Sequence, residues 1–186
     1  MKATEEFNNL FFELANGAVE MANEEVSKLG LSVVLSTSYN FGRRRWVAAY
    51  VRSAQKIYEG KILIALNSNA IYEVLKKAQL DGNREEVRVQ ALVSIMHEVG
   101  HGIIDWLRHC FDKTGCSKQI SDIIECSSNY EEHIVEEYAL SFISEYSGVY
   151  SSRLGDALES LNVPKKITMK QIQEAIVSEI KKAISK

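Results

Sequence analysis

Residues 83 to about 110 read as one unbroken amphipathic helix, and no other stretch constrains the fold as much. The helix follows the breaker Asp81-Gly82, opens with Asn83 and Glu86 spaced as a capping box, and meets no proline along its length. Leu92, Met96, Val99, Ile103 and Leu107 fall on one side. Gln90, Ser94, His97, Glu98, His101, Asp105 and Arg108 share the opposite sector. Such a helix must bury its first stripe in a core and turn its second toward something polar.

The remaining sequence can supply that core. The chain has 186 residues, enough for one domain without staples. It holds a single proline, Pro164, where average usage of about 5% gives about nine, which suits helices joined by short turns. A content of 46% hydrophobic and 25% charged residues excludes a disordered chain. The formal charge of -3 gives no basic field for nucleic acid or anionic lipid, so neither partner is expected. No run approaches the ~18 apolar residues of a membrane span, and the acidic N-terminus does not read as a signal peptide. A cytoplasmic protein is expected. Three cysteines, Cys110, Cys116 and Cys126, do not read as a disulfide framework.

Hydrophobic periodicity orders the elements. A first helix over about 4–28 carries Phe7, Leu10, Phe11, Leu14, Ala18, Met21 and Ala22 and stops at Gly30. Strands are expected at 31–37 and 46–52 around a turn at 39–45, and at 61–66 after Gly60. A short helix capped by Asn67 or Ser68 runs to about 80, and residues 111–127 read as a loop. The next helix starts with Ser128 and Glu131, or Asn129 and Glu132, as its cap. A short helix near 152–161, a turn at Pro164 and a last helix capped by Thr168 and Gln171 complete the chain. The expected fold is α+β: one mainly helical domain over 1–186 with a small three-stranded, mostly antiparallel sheet. Its core spans about 31–148, and C-terminal helices over 150–186 pack on it.

The long helix carries His97-Glu98-Val99-Gly100-His101, an HExxH motif. At about 100° per residue the two imidazoles lie about 40° apart and about 6 Å along the axis, so both can reach one ion. Glu98 lies about 100° from His97 and flanks the ligands, as a base acting on metal-bound water would. A catalytic site needs a third protein ligand and an open position. The metzincin spacing would put that ligand at Leu107, which excludes it, and His109 points elsewhere. The helix after residue 131 is the better source. Val135, Ala139, Phe142, Ile143 and Tyr146 form its apolar face, Glu136 sits at the border of that face, and Glu137 lies nearly opposite. An acid at the edge of a core is costly unless it meets a cation, so Glu136 is the expected ligand, with Glu132 one turn earlier as the alternative.

HExxH followed by a glutamate on a later helix resembles the gluzincin metallopeptidases, and the small size resembles their minigluzincin and ImmA/IrrE-like members. The segment Glu136-Glu137-Tyr138-Ala139-Leu140-Ser141-Phe142 is similar to their glutamate helix, and the likeness covers about residues 31–148. The resemblance implies a zincin-like fold and one zinc ion on His97, His101 and Glu136. It makes Glu98 the general base of peptide-bond hydrolysis and implies a peptide or protein substrate. Many relatives carry Asp or Asn four residues after the ligand glutamate, where this sequence has Leu140. That departure motivates the alternative of a weakly active or inactive zinc-binding protein with a regulatory role. Asp105 is the candidate to orient a histidine in place of that residue. His133 and Tyr138 are candidates to stabilise the tetrahedral intermediate, ahead of Arg108. The strand at 62–66 is a candidate edge for an extended substrate. His109 and the cysteines lack the spacing of a second zinc site, and Arg43-Arg44-Arg45 reads as a solvated loop.

Overall fold

The computed structural model describes residues 2–36, 41, 47–67, 70, 73, 76, 84–111, 118–143 and 167–184. The elements are α1 (Lys2–Ser27), β1 (Ser32–Ser36), β2 (Ala48–Tyr50), α2 (Ala54–Tyr58) and β3 (Lys61–Leu66). They continue with α3 (Arg84–Phe111), α4 (Lys118–Asn129), α5 (Glu131–Ser141) and α6 (Met169–Ile184). The expected turn at 39–45 with its arginines, the helix near 152–161, Pro164 and the Asp81-Gly82 break lie outside the described residues. So do the side chains of Cys110 and Cys116. The helix expected after Asn67 is described only at positions 70, 73 and 76, all helical.

Helix α3 is the axis of the molecule. Its apolar stripe is buried as its periodicity requires: Leu92, Met96, Val99, Ile103 and Leu107 are at most 2% exposed. One hydrophobic cluster joins that stripe to Phe11, Ala15 and Ala22 of α1, Ile62 and Ile64 of β3, Ile120 of α4, Val135 and Ala139 of α5, and Ile172 and Ile176 of α6. Helix α6 starts with a reciprocal capping box, in which the Thr168 N–H donates to Gln171 Oε1 and the Gln171 N–H to Thr168 Oγ1. Among the described residues no helix is long and apolar enough to cross a membrane.

The sheet is mixed rather than mostly antiparallel. Its order is β1-β3-β2, with β1 parallel and β2 antiparallel to β3. The reason lies in two glycine turns that bring β1 and β3 in from the same end. The Ser32 N–H donates to the Gly60 carbonyl at 2.8 Å. Gly60 has a φ of +70°, and a Cβ there would lie 2.7 Å from the Gly30 carbonyl oxygen. The most apolar strand, KILIAL, takes the centre with Ile62 and Ile64 fully buried, so it offers no edge to a substrate. Of the two edges, β1 is blunted: Asn23 of α1 accepts from the Val33 N–H at 2.7 Å and donates to the Val33 carbonyl at 3.2 Å. The other edge is that of β2, which pairs with no further strand among the described residues. Val51 donates inward to Leu63 and Val47 accepts inward from Asn67, so by ladder alternation the backbone groups of Ala48 and Tyr50 face outward.

Two small residues let α3 approach its neighbours. A Cβ on Gly102 would lie 2.5 Å from Ile62, and one on Gly100 would lie 2.8 Å from Val135. The second contact presses α5 against the histidine turn of α3. The approach to α5 also differs from the expected loop over 111–127. Ile120, Ile123, Ile124 and Ser127 recur at helical spacing, and Lys118–Asn129 is helical. Ser128 is therefore no cap; its hydroxyl donates back to the Ile124 carbonyl. Helix α5 begins after Tyr130, without a side-chain cap, and has Glu131 and Glu132 in its first turn. Acids are favourable there, beside unpaired N–H groups.

Candidate metal centre

The HExxH turn faces a cleft of about 810 Å³ walled by β2 on one side and the start of α5 on the other. His97 and His101 converge in it, their Nε2 atoms 3.3 Å apart. Their outer nitrogens meet carboxylates: His97 Nδ1 lies 2.9 Å from Glu136 Oε2, and His101 Nδ1 lies 2.6 Å from Glu131 Oε1. An ionised carboxylate only accepts, so each Nδ1 carries a hydrogen, and a neutral imidazole then has its lone pair on Nε2. At that separation the two Nε2 atoms can share a proton or draw on one metal ion.

The third donor is Glu132. Its carboxylate oxygens lie 3.6 Å from the Nε2 of His97 and 3.6 Å from that of His101. A tetrahedral ion with bonds of about 2.05 Å separates any two of its ligand atoms by about 3.3 Å. His97, His101 and Glu132 are thus a group that could hold a metal ion. Glu136, the expected third ligand, is instead placed behind the His97 ring. It sits on the outer nitrogen, where carboxylates commonly orient metal-binding histidines. Glu131 does the same for His101, the task expected of Asp105.

Glu98 lies on the β2 side, where its Oε2 accepts from the Tyr50 backbone N–H at 2.6 Å. Asp105 is turned to the far end of the cleft. It accepts from the Tyr50 hydroxyl and from Arg52 Nε, both at 3.1 Å. Arg108 donates to Glu131 at 2.6 Å and faces Asp105 at 3.7 Å, so it backs the histidine partner and does not reach into the cleft. His133 is neither solvated nor in the cleft. It is 6% exposed with Nδ1 3.6 Å from Glu137. Tyr138 is core, stacked edge-on against Phe142, and Leu140 packs at the core margin.

Electrostatics follow from these contacts. Burial alone disfavours a proton on His97, but the Glu136 hydrogen bond and the charges of Glu98 and Glu132 outweigh it and raise its proton affinity. Burial of Glu131 favours its neutral form, yet the hydrogen bonds from His101 and Arg108 hold its carboxyl down at about 2. Burial, reinforced by Asp105, pushes the Tyr50 phenol well above its ordinary range.

No family model, curated protein or solved structure matches the chain. The chemistry of the cleft therefore rests on its own atoms. Sequence reasoning missed three of the residues that shape it. Tyr50 ends β2 and Arg52 follows it without any periodic signal, and Glu131 reads in the sequence only as part of a helix cap.

Proposed function

We propose that the protein is a zincin-like, zinc-dependent peptidase. One observation carries the reading: the Nε2 atoms of His97 and His101 and the Glu132 carboxylate converge in a cleft that also holds Glu98 and is walled by the edge strand β2. Two imidazoles and one carboxylate suit zinc, and three protein ligands leave a position open. A zinc ion there supplies Lewis acidity and a bound water acidified to near neutrality.

The chain's own groups divide the remaining tasks. Glu136 and Glu131 hold the histidine rings in their metal-binding tautomers. Glu98 takes the proton; the Tyr50 amide fixes its Oε2, so Oε1 is the accepting oxygen. The outward N–H and carbonyl of Ala48 can pair with an extended peptide. The small side chains of Ala48 and Ala49 leave room for its backbone along the wall.

Metal content and cleavage of a broad peptide library test the reading together. The Glu98→Gln variant should retain one equivalent of zinc and lose at least ~10²-fold in turnover. Unchanged turnover would remove Glu98 from its role. A wild-type protein that holds zinc and cleaves nothing would be a metal-binding protein without turnover.

A further inference from the structure

Arg52 is a cation in the cleft wall that the chemistry above leaves without a task. Among the described residues lining the cleft it is the one arginine or lysine, set against Glu98, Glu131, Glu132 and Glu136. Its side chain is 62% exposed. Nε donates to Asp105 at 3.1 Å, and Nη2 lies 3.8 Å from Glu131, beyond hydrogen-bond distance. A guanidinium has five N–H donors in a planar fork. Among the described residues, no hydrogen bond engages those on the two Nη atoms. Asp105 holds one side of the plane, and the fork is left for something else.

Its position along the chain says where that something lies. Arg52 lies two residues past the end of β2, and its side chain reaches Asp105 as that of Tyr50 does. Arg52 stands about 7 Å beyond the Tyr50 amide that meets Glu98. A single carboxylate, Glu131, separates its guanidinium from the His101 ring. An extended peptide laid along β2 thus passes the outward groups of Ala48, reaches the reacting centre near Tyr50, and meets Arg52 next. The glutamates lining the cleft repel an anion, and Arg52 is the one lining side chain with permanent positive charge to attract it.

We infer that Arg52 receives a substrate carboxylate close to the scissile bond and so fixes the register of the peptide against Glu98 and the histidines. The inference rests on the peptidase reading. Its chemistry admits two sources, the free C-terminus of a short peptide or an acidic side chain. A forked, charge-assisted pair is geometrically specific, which makes Arg52 a determinant of substrate choice.

Binding to the zinc-loaded Glu98→Gln protein, which keeps substrate intact, provides the test. Three N-acetylated alanine tetrapeptides serve as probes in calorimetric titrations. One ends in a free carboxylate, one is amidated with a glutamate in last place, and one is amidated with glutamine there. At least one carboxylate peptide should bind ~10-fold or more tightly than the glutamine peptide. Adding Arg52→Gln should erase the difference while zinc content stays at one equivalent. Preference for the free acid assigns the terminus, and preference for the glutamate peptide assigns the side chain. Equal binding of all three, no binding of any, or a preference that survives Arg52→Gln would overturn the inference; the last outcome would assign the carboxylate to the metal. Failure of the peptidase reading shows separately, as absence of cleavage by wild type.

Discussion

Gly100→Ala places a methyl group where α5 already lies. The new Cβ would sit 2.8 Å from Val135 Cγ1, 2.9 Å from Val135 Cβ and 3.3 Å from its Cα. Carbon atoms pack at about 3.5–4.0 Å, so α3 and α5 must part by about 0.7 Å. Two effects then oppose one another. Alanine in a helix interior is favoured over glycine by about 1 kcal/mol. Overpacking a filled contact costs about 1–3 kcal/mol. The apoprotein should therefore lose about 1 kcal/mol, within a range of about 0–2 kcal/mol, read from the denaturant midpoint. The larger effect should fall on metal binding. Val135 lies on the helix that carries Glu131, Glu132 and Glu136, so parting the helices draws all three carboxylates away from the histidines. A loss of ~10-fold or more in zinc affinity is expected by chelator competition. Val135→Ala removes the atoms that clash. The double variant should recover most of the affinity, with a coupling of ~0.5 kcal/mol or more in stability. If Gly100→Ala stabilises the apoprotein by the full ~1 kcal/mol of helix propensity and leaves zinc affinity unchanged, the close crossing and its role are wrong.

The carboxylates can be ranked by the same chelator competition. Glu136→Gln and Glu131→Gln, which remove ring partners, should each cost ~10–100-fold in zinc affinity, Glu132→Ala should cost more, and Glu137→Ala should cost nothing. A larger loss for Glu136 than for Glu132 would return Glu136 to the metal. Acid stability tests the pairing of Glu131 with His101 and Arg108. Its folded carboxyl lies at about 2 against an ordinary 4.5, so the folded state gains from its ionised form above about 4.5 and loses that gain as pH falls toward about 2. The stability gap between wild-type apoprotein and Glu131→Gln should be full at pH 6 and should narrow across that window in urea denaturation. A gap independent of pH would mean the pairing does not exist.

The histidine face was legible because one helix carries it: 3.6-residue periodicity fixes azimuth within an element, and both histidines share an element with Glu98. The carboxylate nearest both histidines was less so, because it depends on how two helices cross. A helical wheel places Glu136 at the core border, and it does lie there. It says nothing of which turn of α5 faces which turn of α3. That height is set by Val135 resting on Gly100, a steric contact between two residues without polar chemistry. Once they touch, Glu132 comes within 3.6 Å of both Nε2 atoms and Glu136 falls behind His97. Sheet order escaped for a similar reason. Short strands 31–37 and 46–52 around a turn read as a hairpin, but the contact of Gly30 with Gly60 brings β3 in between. Helix α4 was legible and was missed: Gly115 and the polar residues around it outweighed the Ile120, Ile123, Ile124 spacing.

The net charge gains a meaning it lacked as a bare sum. Around the cleft, Glu98, Asp105, Glu131, Glu132 and Glu136 stand against Arg52 and Arg108, an excess of three negative charges. That equals the formal -3 of the entire chain, so the other acids and bases of the sequence cancel in number. Clustered carboxylates resist folding unless something offsets them. The two arginines offset Asp105 and Glu131, which leaves Glu98, Glu132 and Glu136 around the histidine pair. A divalent cation there reduces the excess to one. Because such an ion has no comparable site in the unfolded chain, its binding free energy adds directly to folding stability. Added zinc should therefore raise the denaturation midpoint of the protein, and a midpoint that does not move would refute binding at this cluster.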